Sequence, residues 1–270
     1  VYRATLKQLS GLYQKKLTGA CSQTHPGFPS SSVCPSPSSL LISGRVPSRP
    51  VCKSSSHTPR RPFSLGDPAL LEASVTAEID CGDVGVLPGF VTEDESESLL
   101  VEIRRTLRGK RYLYNHWDGA IEGYRETEKP VWGEANPPVI HRLKQVAEDA
   151  GGEDVRALDE VHVLDLANDG FIRPHIDSIK FCGDVIAGLS LVSECVMVFQ
   201  HEDDSTKWIR ALLPPLSIYI MRGRVRHNYT HAVPLTGEES GFKGQTVSRE
   251  QRVSVISRTR PPQHHNHTSH

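Results

Sequence analysis

From Val86 onward the chain moves between two hydrophobic periods. Behind Val86-Leu87-Pro88-Gly89-Phe90, Thr92 stands as an N-cap with Glu95 three residues on, a capping box. Leu99, Ile103 and Leu107 follow at i, i+4 and i+8, which makes one buried helical stripe. A second helix is predicted over about 138–149, with Val139, Leu143 and Val146 on its apolar side and Gly151-Gly152 ending it. Beyond 158 the period becomes two, or the apolar runs become short and β-branched. Predicted strands are Val161–Leu166, Phe171–Asp177, Ile186–Val192, Val196–Gln200, Trp208–Leu213, Leu216–Met221, Val225–Tyr229 and Arg252–Arg258. Turn residues separate them at Asn168-Asp169-Gly170, Gly183-Asp184, Ser193-Glu194, Pro214-Pro215 and Gly223. Short, closely spaced strands preceded by helices predict an α+β, mainly β chain built as a double-sheet jelly roll or a related barrel. No internal repeat interrupts this reading.

Charge divides the chain. Residues 1–66 hold no Asp or Glu but nine basic residues; all 32 acids and 22 of the 31 Lys and Arg follow, so 67–270 is formally −10. The head is rich in Ser, Pro and Arg. Runs such as Ser36-Pro37-Ser38-Ser39 bury too little apolar surface to fold alone. Its basic, Ser-rich, acid-poor composition matches a mitochondrial transit peptide, and it lacks the apolar run of a secretory signal. An unstructured tail without an address is the alternative. The expected organisation is a disordered basic segment over 1–66, one domain over 67–260 and a disordered His-rich tail over 261–270. No stretch approaches the ~20 apolar residues that would span a membrane. Cys81, Cys182 and Cys195 are scattered through the domain without a Cys-x-x-Cys pair, which reads as reduced thiols in an intracellular compartment. His264, His265, His267 and His270 in the tail could chelate adventitious metal, and no function is expected there.

Four signals carry chemistry. His175-Ile176-Asp177 puts an imidazole and a carboxylate at i and i+2 of a strand, hence on one face, where they can share a metal. Alone it is an ordinary surface pattern. Non-haem Fe(II) oxygenases use two His and one carboxylate and leave the remaining positions open. Later His residues that could complete such a set are His201, His227 and His231; His201 sits among Glu202, Asp203 and Asp204 and reads best as part of a solvated turn. The third signal is Arg252-Val-Ser-Val-Ile-Ser-Arg258. It places Arg252, Ser254, Ile256 and Arg258 on one strand face, with the two Arg spanning roughly 20 Å. Guanidinium groups grip carboxylates bidentately, so the pair can hold a short dicarboxylate; two solvated Arg on an edge strand is the plainer reading. In the fourth signal, Ser217, Tyr219 and Met221 face opposite to Leu216, Ile218 and Ile220, so Tyr219 can donate its hydroxyl into a barrel interior or simply be a half-buried Tyr.

The order of these signals is demanding, and it resembles the AlkB family of 2-oxoglutarate dioxygenases. Phe171-Ile172-Arg173-Pro174-His175-Ile176-Asp177-Ser178 carries the likeness, as do Arg111-Tyr-Leu-Tyr-Asn-His-Trp-Asp118, Gly123-Tyr-Arg-Glu-Thr-Glu-Lys129, Val161-His-Val-Leu-Asp-Leu166 and Asp177-Ser-Ile-Lys-Phe-Cys-Gly183; the resemblance covers about 83–258. It implies a double-stranded β-helix with supporting N-terminal helices. Iron would be held by His175, Asp177 and His231, which is the reason to prefer His231 over His227. Arg252 would clamp the far carboxylate of 2-oxoglutarate, Arg258 would lie nearer the metal end, and Tyr219, with Ser254 on the same strand face as the arginines, would complete the cosubstrate site. O2 and 2-oxoglutarate would be consumed, succinate and CO2 released, and a C–H bond of the substrate oxidised. The likeness is to a mitochondrial member of the family. It therefore implies a matrix location and a link to regulated necrosis and fatty-acid metabolism.

One departure narrows the substrate. The family's nucleic-acid demethylases carry an Asn and a Tyr 11 and 9 residues before the first metal His, where this chain has Leu164 and Leu166. The stretch before them also looks short for the paired hairpins of a nucleotide lid. Together with the acidic domain this argues against double-stranded DNA, since phosphate binding needs a basic face. Arg104, Arg105, Arg108, Lys110 and Arg111 form a short basic run, which reads as a solvated helix end. A protein or small-molecule substrate is the leading expectation. An RNA demethylase, with Trp117 and Tyr124 stacking on an extruded base, and a non-catalytic interaction module are the alternatives.

Overall fold

A computed structural model describes residues 66–77, 80–116, 119–235 and 240–262. The basic head up to Leu65, Trp117 and the His-rich tail lie outside the described residues. In chain order the elements are β1 (Leu71–Ala73), β2 (Val84–Leu87), α1 (Glu93–Thr106), β3 (Ile121–Lys129), α2 (Pro137–Gly151), β4 (Val161–His175), β5 (Val185–Leu191), β6 (Cys195–His201), β7 (Trp208–Leu213), β8 (Ser217–Arg222), α3 (Gly223–Asn228), β9 (Tyr229–Val233), β10 (Gly241–Phe242), β11 (Gln245–Thr246) and β12 (Arg252–Arg258). Among the described residues no helix is long and apolar enough to cross a membrane.

The main sheet runs β1-β7-β6-β9-β4-β12-β5-β8-β2, with β3 also on β4, and its pairs are antiparallel. It curls because β4 serves both halves. Val161–Leu166 pairs with β3 and β12, whereas Ile172 and His175 pair with Val233 and His231 of β9. Between the halves lies one core, with Leu164, Leu166, Ile186, Tyr219 and Met221 on one side and Met197, Phe199, Ile209 and Val233 on the other. A second core, with Val163, Leu189, Ile218, Ile220 and Val255, covers the outer face beneath α1 and α2. This is the jelly roll expected from the strand pattern, a double-stranded β-helix with its helices on one outer face.

Both predicted helices form. Thr92 Oγ1 accepts from Glu95 N at 3.2 Å and Glu95 Oε2 accepts from Thr92 N at 3.0 Å, so the capping box is closed. Leu99, Ile103 and Leu107 are buried. Glu95 also takes Arg142 of α2 at 2.7 and 2.9 Å, which fastens the two helices together.

Three expectations are corrected. The Asn168-Asp169-Gly170 turn does not divide one strand from the next, because β4 continues through it. Gly170 lies against the Gly123 backbone so closely that a Cβ on either would overlap the other, and Arg249 donates to the Ala167 and Gly170 carbonyls. The strand ends at His175, so Asp177 stands just past it rather than two places along it. Val225–Tyr229 is not a strand. Gly223, at φ +53°, turns the chain into α3, and Arg226 there is fully buried with bonds to three carbonyls.

Candidate active site

His175 ends β4 and faces His231 of β9 across the ladder, so two imidazoles meet where the sheet curls over. Their ring centroids are 4.3 Å apart. Asp177 reaches back between them: its Oδ1 lies 3.3 Å from His175 Nε2 and 3.7 Å from His231 Nε2. Among the described residues these three form the cluster of His, Cys, Asp and Glu atoms close enough to hold a metal, all within 4.8 Å of one another. His175 Nδ1 donates to the Arg173 carbonyl at 2.9 Å, which fixes the ring with Nε2 aimed at the cluster. Burial and the neighbouring His175 push His231 down to about 3, so its imidazole is neutral at physiological pH, as a ligand must be. Burial alone would raise Asp177, but the Arg258 guanidinium and the two imidazoles hold it well below the usual carboxylate range.

The other His residues lie elsewhere. His227, on α3, is half-exposed and pairs with Asp184 at 3.0 Å. His201 accepts from Asp203 N at 3.1 Å in a polar turn.

A cavity of about 420 Å³, open mouth included, lies against the cluster. Its polar lining is His162, His175, Asp177, Tyr219, His231, Arg252 and Arg258; Ile121, Leu164, Ile172, Ile186, Met197 and Ile256 complete the wall. The residues singled out from sequence therefore converge on one space, except Ser254. That residue does not line the cavity: its Oγ accepts from Arg252 Nη1 at 3.2 Å and so orients the guanidinium. Arg252 is 1% exposed, and its Nε and Nη2 have no hydrogen-bond partner. A buried cation with two idle donors costs stability unless an anion meets it. Burial raises the Tyr219 hydroxyl above its ordinary value, so it stays protonated and can donate.

Arg258 is committed differently. Its Nε donates to Asp177 Oδ2 at 2.8 Å and its Nη1 to His162 Nδ1 at 3.1 Å. His162 Nε2 in turn meets Glu126 Oε2 at 2.8 Å, and His116 Nε2 approaches Glu126 Oε1 at 3.7 Å. Sequence reasoning missed His162 and Glu126, because neither belongs to a spaced motif. It also missed Gly188, which faces Tyr219 across β5 and β8, where any Cβ would run into the phenol ring. Tyr124 is buried in the core, edge-on to His116.

Two imidazoles and one carboxylate on one side of a pocket suit Fe(II) with open positions, and a buried guanidinium in the same pocket suits a dicarboxylate. The donor set and the idle Arg252 nitrogens thus fit both groups. The sequence pattern of the 2OG-Fe(II) oxygenase superfamily matches residues 83–258. The chain belongs to that superfamily and is an Fe(II)- and 2-oxoglutarate-dependent dioxygenase, an oxidoreductase. The AlkB resemblance is matched as well. Alpha-ketoglutarate-dependent dioxygenase alkB homolog 7, mitochondrial, of Mus musculus is 46% identical over 176 residues, covering 65% of this chain and 78% of its own. The Bos taurus protein of the same name shows the same identity and the same coverage.

Proposed function

We propose that His175, Asp177 and His231 hold the iron, that Arg252, Tyr219 and Arg258 hold 2-oxoglutarate, and that the domain over 67–260 oxidises a C–H bond of a protein or small-molecule substrate. The observation that carries this is the buried Arg252 with two unpartnered nitrogens in the cavity that also holds the two imidazoles and the carboxylate. Bound iron with its cosubstrate supplies O2 activation, at the expense of one 2-oxoglutarate converted to succinate and CO2.

The chain's own residues set the conditions. Arg258 ties up Asp177 Oδ2 and leaves Oδ1 on the side of the two imidazoles. Arg252 grips the far carboxylate of the cosubstrate, with Ser254 fixing the plane of its guanidinium. Arg258, beside Asp177, would meet the cosubstrate nearer its metal end, and Tyr219, on the cavity wall, would donate its hydroxyl to it. The apolar wall excludes water from the reacting C–H bond.

That wall also bears on the substrate. Leu164 lines the cavity, and Ile121, Ile172 and Met197 add no hydrogen-bonding edge for a base. Tyr124 is spent in the core rather than offered for stacking. An aliphatic side chain or a slender small molecule fits better than an extruded nucleobase.

The relatives' mitochondrial name and the transit-like head support a mitochondrial setting, and we place the domain in the matrix. There its oxidation belongs with regulated necrosis and fatty-acid metabolism. The test is succinate release from 2-oxoglutarate by the full chain, without substrate and then with peptide, metabolite and RNA pools. Slow uncoupled turnover that accelerates with peptides or metabolites is expected. Acceleration by RNA alone, with RNA binding that weakens as salt rises, would replace this substrate with RNA. No turnover under any condition would leave an interaction module.

A further inference from the structure

A chain of side chains runs from β3 to the metal carboxylate, Glu126, His162, Arg258, Asp177, and its first two members are not used in holding the iron or the cosubstrate. Each link has a defined direction. Arg258 can only donate, so His162 must accept at Nδ1 and carry its proton on Nε2, which donates to Glu126. Burial alone would raise Glu126, but hydrogen bonds from His116 and His162 outweigh it and hold its carboxyl low, so it remains an acceptor. The Glu126 acceptor at Nε2 selects the tautomer whose Nδ1 faces Arg258 with a lone pair. His162 is 9% exposed and Asp177 is closed in, so little water is at hand to substitute for a missing partner.

We infer that His162 and Glu126 are positioning residues of the metal site: through Arg258 they fix which oxygen of Asp177 is presented to the iron. The inference rests on the reading of His175, Asp177 and His231 as the ligands. Without the His162 acceptor, Arg258 Nη1 is left without this partner beside the cavity, and the guanidinium is free to swing away from Asp177 Oδ2. Asp177 then loses its single orientation, and iron affinity falls while the grip of Arg252 on the cosubstrate is untouched. Loss of such an outer partner typically weakens a metal site about 10–100-fold.

The test is an anaerobic titration of the full chain with Fe(II) alone, by equilibrium dialysis, for wild type, His175→Ala, His162→Leu, His162→Asn and Glu126→Met. Leu and Asn share a shape, but the Asn amide oxygen stands where Nδ1 stood and can accept from Arg258. The expected result is an iron dissociation constant raised about tenfold or more in His162→Leu, largely restored in His162→Asn, and raised also in Glu126→Met, which has no acceptor for His162 Nε2. Equal affinity of wild type and His162→Leu overturns the inference. So does an equal loss in Leu and Asn, since packing alone would then explain it. If His162→Leu does not fold, Glu126→Met decides, and wild-type affinity in that variant overturns the inference. Failure of wild type to bind iron, or wild-type binding by His175→Ala, would instead overturn the ligand assignment beneath it.

Discussion

Replacing Arg252 with Met separates two quantities that a structural residue would move together. Within the fold Arg252 is a buried cation whose Nε and Nη2 have no protein partner. A Met of similar reach removes the unmet charge, so stability should hold or rise. The cosubstrate complex loses instead the two bonds those nitrogens would make to a carboxylate. Charge-assisted hydrogen bonds contribute about 1.5–3 kcal/mol each. At the lower figure the loss is about 3 kcal/mol, which raises the 2-oxoglutarate dissociation constant about 150-fold. Calorimetry of 2-oxoglutarate binding to the iron-loaded protein under nitrogen reads the second quantity, and scanning calorimetry of the unliganded protein reads the first. The reasoning fails if cosubstrate affinity is unchanged. It also fails if the unliganded protein loses the ~3–5 kcal/mol typical of a broken buried pair, because Arg252 would then be paired within the fold.

Three further outcomes follow from the same structure. Gly188→Ala forces a Cβ into the Tyr219 ring, so the KM for 2-oxoglutarate should rise, iron affinity should hold, and stability should fall by about 1–3 kcal/mol, read by parallel melts and kinetics. His227→Ala removes only a half-exposed pair with Asp184; iron affinity should match wild type and stability should change by less than about 1 kcal/mol. The Arg142 guanidinium lowers Glu95 from 4.5 to about 2. A carboxyl lowered on folding stabilises fully above its unfolded value, so the melting-temperature gap between wild type and Glu95→Gln should be flat above about pH 5.5 and close as pH falls from 4.5 toward 2.

The features legible in sequence were those that local chemistry decides. The Thr92–Glu95 box and the Leu99-Ile103-Leu107 stripe form α1 because cap and period agree. Trp208–Leu213 and Arg252–Arg258 appear with the predicted bounds because apolar residues of each strand face a core. What stayed hidden is decided by partners far along the chain. β3 is missing from the predicted strands, since Glu122, Arg125, Glu126, Glu128 and Lys129 fall within its nine residues; it is a strand because Arg125 meets Asp165 and Glu126 meets His162 on β4. The apolar alternation around Val225 yields to Arg226, whose guanidinium bonds the Asp177, Cys182 and Gly183 carbonyls and thereby holds the loop that starts at Asp177. At the site, the residues with a spacing were visible and those that act through another residue were not. His162, Glu126 and Gly188 have no motif, only neighbours.

The central claim is that one pocket holds Fe(II) on His175, Asp177 and His231 and 2-oxoglutarate on Arg252. Its most direct test is anaerobic binding of both to the full chain, with His175→Ala and Arg252→Ala alongside wild type. The account predicts that wild type binds both, that His175→Ala loses iron, and that Arg252→Ala keeps iron but loses 2-oxoglutarate. Wild type binding neither, or each variant binding as wild type does, would contradict it.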